Sequence, residues 1–327
     1  MKLKLAHQLN RSDILFSLAR RPETETVFFG ASDARVYSLD FEQPKLQPQA
    51  FQGGHVSYVT GLALAGEHLI SGAYDRRLIW WSEGQVVRSV EAHQKWIRGV
   101  WSSPDGKTIA SVADDMVCRL WDAASGTPLR ELRGHDSQTP HHFPSMLYCA
   151  AFSPDGQWLA TGDRIGKIVI WNLQTGQQEN ALEAEKMYTW DPKARIHSIG
   201  GARSLAFSPD SQRLAVGGMG QVGNIDHLGG KSRVELFAWR KGERLWALED
   251  SPYKGLVERL EFHPQEQWLL AAGGDHGGFL QFLDPQTGKV ETHEKAPMHI
   301  HDLAMNEQRT RLYAAGHQKL AVWELEE

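Results

Sequence analysis

Histidine, serine and aspartate recur in this sequence in sets that could do chemistry. His55, Ser71 and Asp75 form one set, and His93, Ser111 and Asp115 form another. A serine nucleophile, an imidazole base and an orienting carboxylate are the parts of an acyl-transfer triad. That chemistry also needs an exposed nucleophile and an oxyanion hole. His141-His142 and His299-Ile300-His301 invite a metal reading, but no Cys accompanies them and no spacing matches a zinc motif. We therefore expect surface histidines and no metal site. The glycine-rich stretches 217–224 and 271–279 carry no Walker lysine and lead into no helix, so they read as hairpins rather than phosphate loops. Asp191, Arg195, His197, Asp226 and His227 are the one polar group that could converge on a substrate, and their order identifies no reaction. No cofactor is expected.

The elements that must position these residues are set by a repeat. The chain has 327 residues and 12 tryptophans. Trp81, Trp121, Trp171, Trp239 and Trp323 end similar short apolar strands, and Leu39 and Leu283 hold the same place in two further segments. Four of the six intervals between these positions fall in a period of roughly 40–45 residues. Ser103-Pro104-Asp105-Gly106, Ser153-Pro154-Asp155-Gly156 and Ser208-Pro209-Asp210-Ser211 supply turns between strands. Short β-branched and aromatic runs at this spacing predict an antiparallel all-β fold, and no stretch sustains a helical period.

These features resemble the WD40-repeat family. Gly54-His55, Gly134-His135 and Trp121-Asp122 match its hallmarks, with Ala92-His93 close to them. The resemblance covers essentially the whole chain. It implies a seven-bladed β-propeller of four-stranded antiparallel blades, one domain over residues 1–327, with cassettes ending near 40, 81, 121, 171, 239, 283 and 323. The segment 2–9 should pair with the last strand, near 319–325, and complete the final blade. The family's structural tetrad then explains the apparent triads. It comprises His55, Ser71, Asp75 and Trp81 in the second cassette, and His93, Ser111, Asp115 and Trp121 in the third. The fourth cassette keeps His135, Thr161 and Trp171 but has Ile165 where aspartate is expected; elsewhere the network should be absent.

Function should lie in what the scaffold does not need. Segments 136–150, 185–203 and 218–233 exceed the repeat and should share one face. Tyr188, Trp190 and Arg195 are candidate partner contacts there, with packing of Trp190 and Met187 as the alternative. Trp190 precedes the turn start Asp191-Pro192, which predicts a position outside strands. Tyr58, Trp96 and Arg98 should lie at the mouth of the channel. WD40 proteins often bind peptides or proteins on this face, so the resemblance implies a non-enzymatic binding scaffold. An enzyme with a site under the long loops or in the channel is the alternative. The net charge of −5 argues against nucleic acid. No segment is apolar enough to span a membrane, the opening residues are too polar for a signal peptide, and the two cysteines fit a reducing cytoplasm.

Overall fold

Alternation of apolar and polar residues, punctuated every few residues by tight turns, produces strands throughout. The computed structural model describes residues 2–194 and 196–326. Seven four-stranded antiparallel sheets form, the blades of a β-propeller. Blade 1 comprises Leu15–Arg20, Thr26–Ala31, Val36–Asp40 and Gln49–Ala50. Blade 2 comprises Val59–Ala65, His68–Ala73, Arg77–Ser82 and Gln85–Glu91. Blade 3 comprises Ile97–Ser102, Thr108–Ala113, Cys118–Asp122 and Pro128–Leu132. Blade 4 comprises Leu147–Phe152, Trp158–Asp163, Lys167–Asn172 and Gln178–Glu183. Blade 5 comprises Ser204–Phe207, Leu214–Met219, Ser232–Ala238 and Glu243–Leu248. Blade 6 comprises Leu256–Phe262, Leu269–Gly274, Gly278–Leu283 and Val290–Ala296. Blade 7 comprises Ile300–Met305, Arg311–Gly316 and Lys319–Glu326, and the N-terminal strand Lys2–Asn10 is its fourth member.

That last pairing is the expected closure. Leu3 lies opposite Leu325, and Asn10 opposite Lys319. The Ser-Pro-Asp-Gly turns form for a reason visible in each. Ser103 Oγ donates to Asp105 and accepts the Thr108 amide at 2.9 Å, while Gly106 adopts φ 68°. The turns at Ser153 and Ser208 repeat the pattern. The glycine-rich stretch 271–279 is the expected hairpin, between strands Leu269–Gly274 and Gly278–Leu283.

The residues pack as two compact units. One comprises Met1–Ala113, Arg119–Arg130 and Ile300–Glu327; the other comprises Asp114–Cys118 and Glu131–His299. In the first, Ile70, Leu78 and Trp80 pack with Ile97, Val100 and Trp121. In the second, Leu236 and Phe279 pack with Val257, Leu269 and Leu283. Each fully buried Leu, Ile or Phe contributes about 1.5–3 kcal/mol, so these layers supply most of the stabilisation. Outermost strands alternate instead; Val290–Ala296 is buried on one side only. Cys118 and Cys149 are both buried and are not joined in a disulfide. No helix among the described residues is long and apolar enough to cross a membrane.

Register corrects one cassette position. Trp81, Trp171 and Trp323 lie opposite Leu69, Leu159 and Leu312. In blade 5 the equivalent Leu214 lies opposite Phe237, so Phe237 holds the repeat position and Trp239 lies two residues beyond it. Trp239 is fully buried but donates to the Ser211 carbonyl instead of joining a tetrad.

Candidate protein-interaction surfaces

The scaffold under the first surface is the blade 2 tetrad. His55 Nε2 lies 2.7 Å from Ser71 Oγ, and Trp81 Nε1 donates to the same oxygen at 2.7 Å. Asp75 accepts from His55 Nδ1 at 3.0 Å and from the Val56 and Arg77 amides. Burial alone would raise the Asp75 pKa. The His55 hydrogen bond and charge, with the two amides, outweigh it and hold the carboxyl well below the usual range. Ser71 is fully buried, so it is no exposed nucleophile. In blade 3, His93 Nε2 meets Ser111 Oγ at 2.8 Å, Trp121 Nε1 donates to that oxygen, and Arg119 donates to His93 Nδ1 at 2.6 Å.

These networks fix turns that carry aromatic side chains. Tyr74 precedes the Asp75 anchor. Its ring stacks on Trp96 with centroids 4.6 Å apart and planes 7° from parallel. Tyr58 lies 5.7 Å from Tyr74, Phe16 5.5 Å from Tyr58, and His301 5.4 Å from Phe16. Arg98 donates to Tyr74 Oη at 2.6 Å and sits 5.1 Å above that ring and 5.7 Å from Trp96. The result is an aromatic strip in which Tyr58 is 45% and Trp96 51% exposed. Recurrent β-bulges help build it. Register shifts at Leu15/Ser17, Ile97/Gly99 and Ile300/Asp302 insert Phe16, Arg98 and His301 as extra residues at the starts of inner strands.

In the other unit the three long segments meet. The His141 ring stacks on Trp190 at 3.8 Å and 6°, and its Nδ1 lies 3.3 Å from Tyr188 Oη. Phe143 stacks on His197 at 4.5 Å. Thr189 Oγ1 accepts the Val222 amide at 3.1 Å, which ties the second segment to the third. Trp190 is not outside strands as its neighbours suggested. Tyr188–Trp190 pairs with Ser198–Gly200, because the Asp191-Pro192 turn closes a hairpin and does not merely end a loop. Met187 is buried, whereas Trp190 keeps 38% of its surface. Arg195 lies outside the described residues.

Blade 4 corrects the reading of Ile165. Asp163 supplies the carboxylate, 2.8 Å from His135 Nδ1. His135 Nε2 lies 2.8 Å from Thr161 Oγ1, to which Trp171 Nε1 donates at 2.9 Å. Residues 84–122 and 126–172, which include this network, match the WD40 family, described as "WD domain, G-beta repeat". The chain carries the WD40 repeat.

Relatives agree with that assignment. Apoptotic protease-activating factor 1 of Rattus norvegicus is 31% identical over 157 residues, 47% of this chain and 12% of that protein. Nuclear distribution protein PAC1 of Arthroderma otae is 31% identical over 137 residues, 35% of this chain and 29% of that protein. Telomerase protein component 1 of Mus musculus is 27% identical over 261 residues, 79% of this chain and 9% of that protein. The chain therefore spans less than a third of the length of each of these WD40-repeat relatives.

Within this WD40 framework, the described members of the polar group considered for catalysis are held in a turn or lie exposed. The Asp191 amide bonds the His197 carbonyl in the hairpin turn and Asp191 Oδ1 caps the Lys193 amide, while Asp226 and His227 are exposed. Burial pushes the Cys149 thiol far up, so it is no nucleophile at neutral pH. Tyr58, Trp96 and Arg98, expected at the channel mouth, group around Tyr74. Spacing points neither to Phe16 nor, as a member of this strip, to His301; their signal is the extra residue near the start of six of the seven inner strands.

Proposed function

We propose that this WD40-repeat chain is a non-enzymatic scaffold, one domain over residues 1–327, that binds a protein or peptide. The observation that carries this is the strip Tyr58–Tyr74–Trp96 held by Arg98, with two large aromatic rings about half exposed on a network-fixed frame. Exposed aromatic rings beside arginine are the side chains that dominate binding energies, and a monomer rarely leaves them uncovered without use. Exposed Arg76 and Lys95 flank the strip, so the partner carries acidic and aromatic side chains. The surface formed by the segments 136–150, 185–203 and 218–233, with Tyr188 and Trp190, is the second contact region. The relatives named apoptotic protease-activating factor 1 and nuclear distribution protein PAC1 share the repeat, which supports a scaffold role. Two buried cysteines not joined in a disulfide support a reducing, cytoplasmic setting. The net charge of −5 speaks against nucleic acid as the partner.

Selection of displayed random dodecapeptides on the immobilised protein tests the reading. Enriched sequences should combine acidic and aromatic residues and lose capture by a Tyr58→Ala, Trp96→Ala double variant. Equal capture by that variant and by a Tyr188→Ala, Trp190→Ala variant would remove both surfaces from the account.

A further inference from the structure

Blade 1 differs from its neighbours at its outer edge. The third and outermost strands of blade 2 pair from Arg77↔Glu91 to Ser82↔Gln85, and those of blade 6 from Gly278↔Ala296 to Leu283↔Val290. In blade 1 only Tyr37↔Ala50 and Ser38↔Gln49 pair. Among the described residues, no strand lies opposite Leu39 and Asp40 on that side. The cause lies in the connecting segment 41–48. It contains Pro44 and Pro48, which lack the amide that a continuing ladder needs.

A cavity opens beside this short edge. Its volume is about 660 Å³, and a smaller one of about 370 Å³ shares Thr26, Ser38 and Gln49 with it and reaches Asp40. Both lie within one compact unit. The floor is aromatic: Phe51 sits 6.0 Å from Phe28 and 5.3 Å from Trp81. Arg21, 5.3 Å above the Phe28 ring, forms the blade 1 wall. The blade 2 wall carries Glu67 and Glu83, which form no ion pair among the described residues.

We propose that this groove binds an extended peptide from a partner protein, with an apolar side chain on the aromatic floor and a neighbouring Lys or Arg against Glu67 and Glu83. An open strand edge offers main-chain hydrogen bonds to an added strand, and adjacent pockets read its alternate side chains. The volume suits a few residues of such a peptide. The two carboxylates on one wall select its charge. This site is separate from the strip at Tyr58 and Trp96 and does not rest on that reading.

The test is fluorescence anisotropy with a labelled hexapeptide of sequence TVLVRT, acetylated and amidated. It should bind the intact protein saturably. Replacing its arginine by glutamate, or methylating alternate backbone nitrogens, should weaken binding at least tenfold. Glu67→Lys with Glu83→Lys, and separately Ala50→Trp, which fills the groove from an exposed position, should do the same. The Tyr58→Ala, Trp96→Ala variant should bind the hexapeptide like the intact protein. Absence of saturable binding overturns the proposal. So does equal binding of the N-methylated peptide, or loss of binding in the Tyr58, Trp96 variant alone.

Discussion

Replacing Asp163 distinguishes the structural account of blade 4 from the one that spacing suggests. The Asp163 side chain is 1% exposed. It accepts from His135 Nδ1 at 2.8 Å and from the Ile165 and Lys167 amides, each at 3.0 Å. Asp163→Ala leaves three donors without a partner in a place water reaches poorly. Orphaned buried donors cost about 1–3 kcal/mol each. Partial relaxation puts the sum at about 3–5 kcal/mol. Asp163→Asn is milder. Its carbonyl can keep the amides, and His135 can switch tautomer so that Nε2 donates to Thr161, whose hydroxyl then turns to the Val169 carbonyl 3.4 Å away. The remaining loss is one charge-assisted bond, about 1.5–3 kcal/mol. Urea unfolding followed by tryptophan fluorescence reads both. With a slope of about 3 kcal/mol per molar, the alanine variant should unfold at about 1–1.7 M lower urea. Ile165→Asp is the decisive control: if residue 165 were the empty tetrad position, adding a carboxylate would stabilise. We expect no gain. Wild-type unfolding of Asp163→Ala, or a raised midpoint for Ile165→Asp, would refute the reasoning.

Other outcomes follow from the same geometry. The depressed pKa of Asp75 adds stability that is fully present above the unfolded carboxyl pKa, about 4, and is lost as pH falls toward the folded value. The stability gap between the wild type and Asp75→Asn should therefore shrink between pH 5 and pH 2 in urea titrations; a constant gap contradicts the assignment. Gly54 holds φ 113°, and an added Cβ would come 2.3 Å from the Trp81 ring. Gly54→Ala should cost at least about 2 kcal/mol by strain and displacement of the tetrad tryptophan, measured by the same unfolding curves. Removing residues 2–10 strips the outer strand from blade 7 and should lower the thermal midpoint; a truncated chain melting with the intact one counts against the pairing Leu3↔Leu325 to Asn10↔Lys319.

The blade count was legible because Leu39, Trp81 and Trp121, and again Leu283 and Trp323, follow one another at intervals of 40–42 residues, and because Ser-Pro-Asp turns mark the hairpins between them. Fixed offsets fail where the chain departs from the repeat. The four-residue offset from Ser71 to Asp75, carried over to Thr161, points to Ile165 and passes over Asp163. Thr161 and Asp163 are two apart on one strand, so both point to the same side, and period-two reasoning would have found the pair. Trp239 matches the repeat position by identity, but strand register gives that place to Phe237. Tyr58 and Trp96 could be placed from sequence because each precedes an inner strand. Their link through Tyr74 and the bulge residue Arg98 depends on adjacent blades and has no local signature. The contact of His141 with Trp190 joins residues 49 apart and was equally hidden.

Affinity at the aromatic strip tests the central claim most directly. A peptide selected on the intact protein should be titrated calorimetrically against Trp96→Ala, with urea unfolding measured on the same samples. A central aromatic anchor contributes about 2–4 kcal/mol, so Kd should rise at least about 30-fold while the unfolding midpoint stays unchanged. Equal affinity in the folded variant would contradict the assignment of the strip as the binding surface.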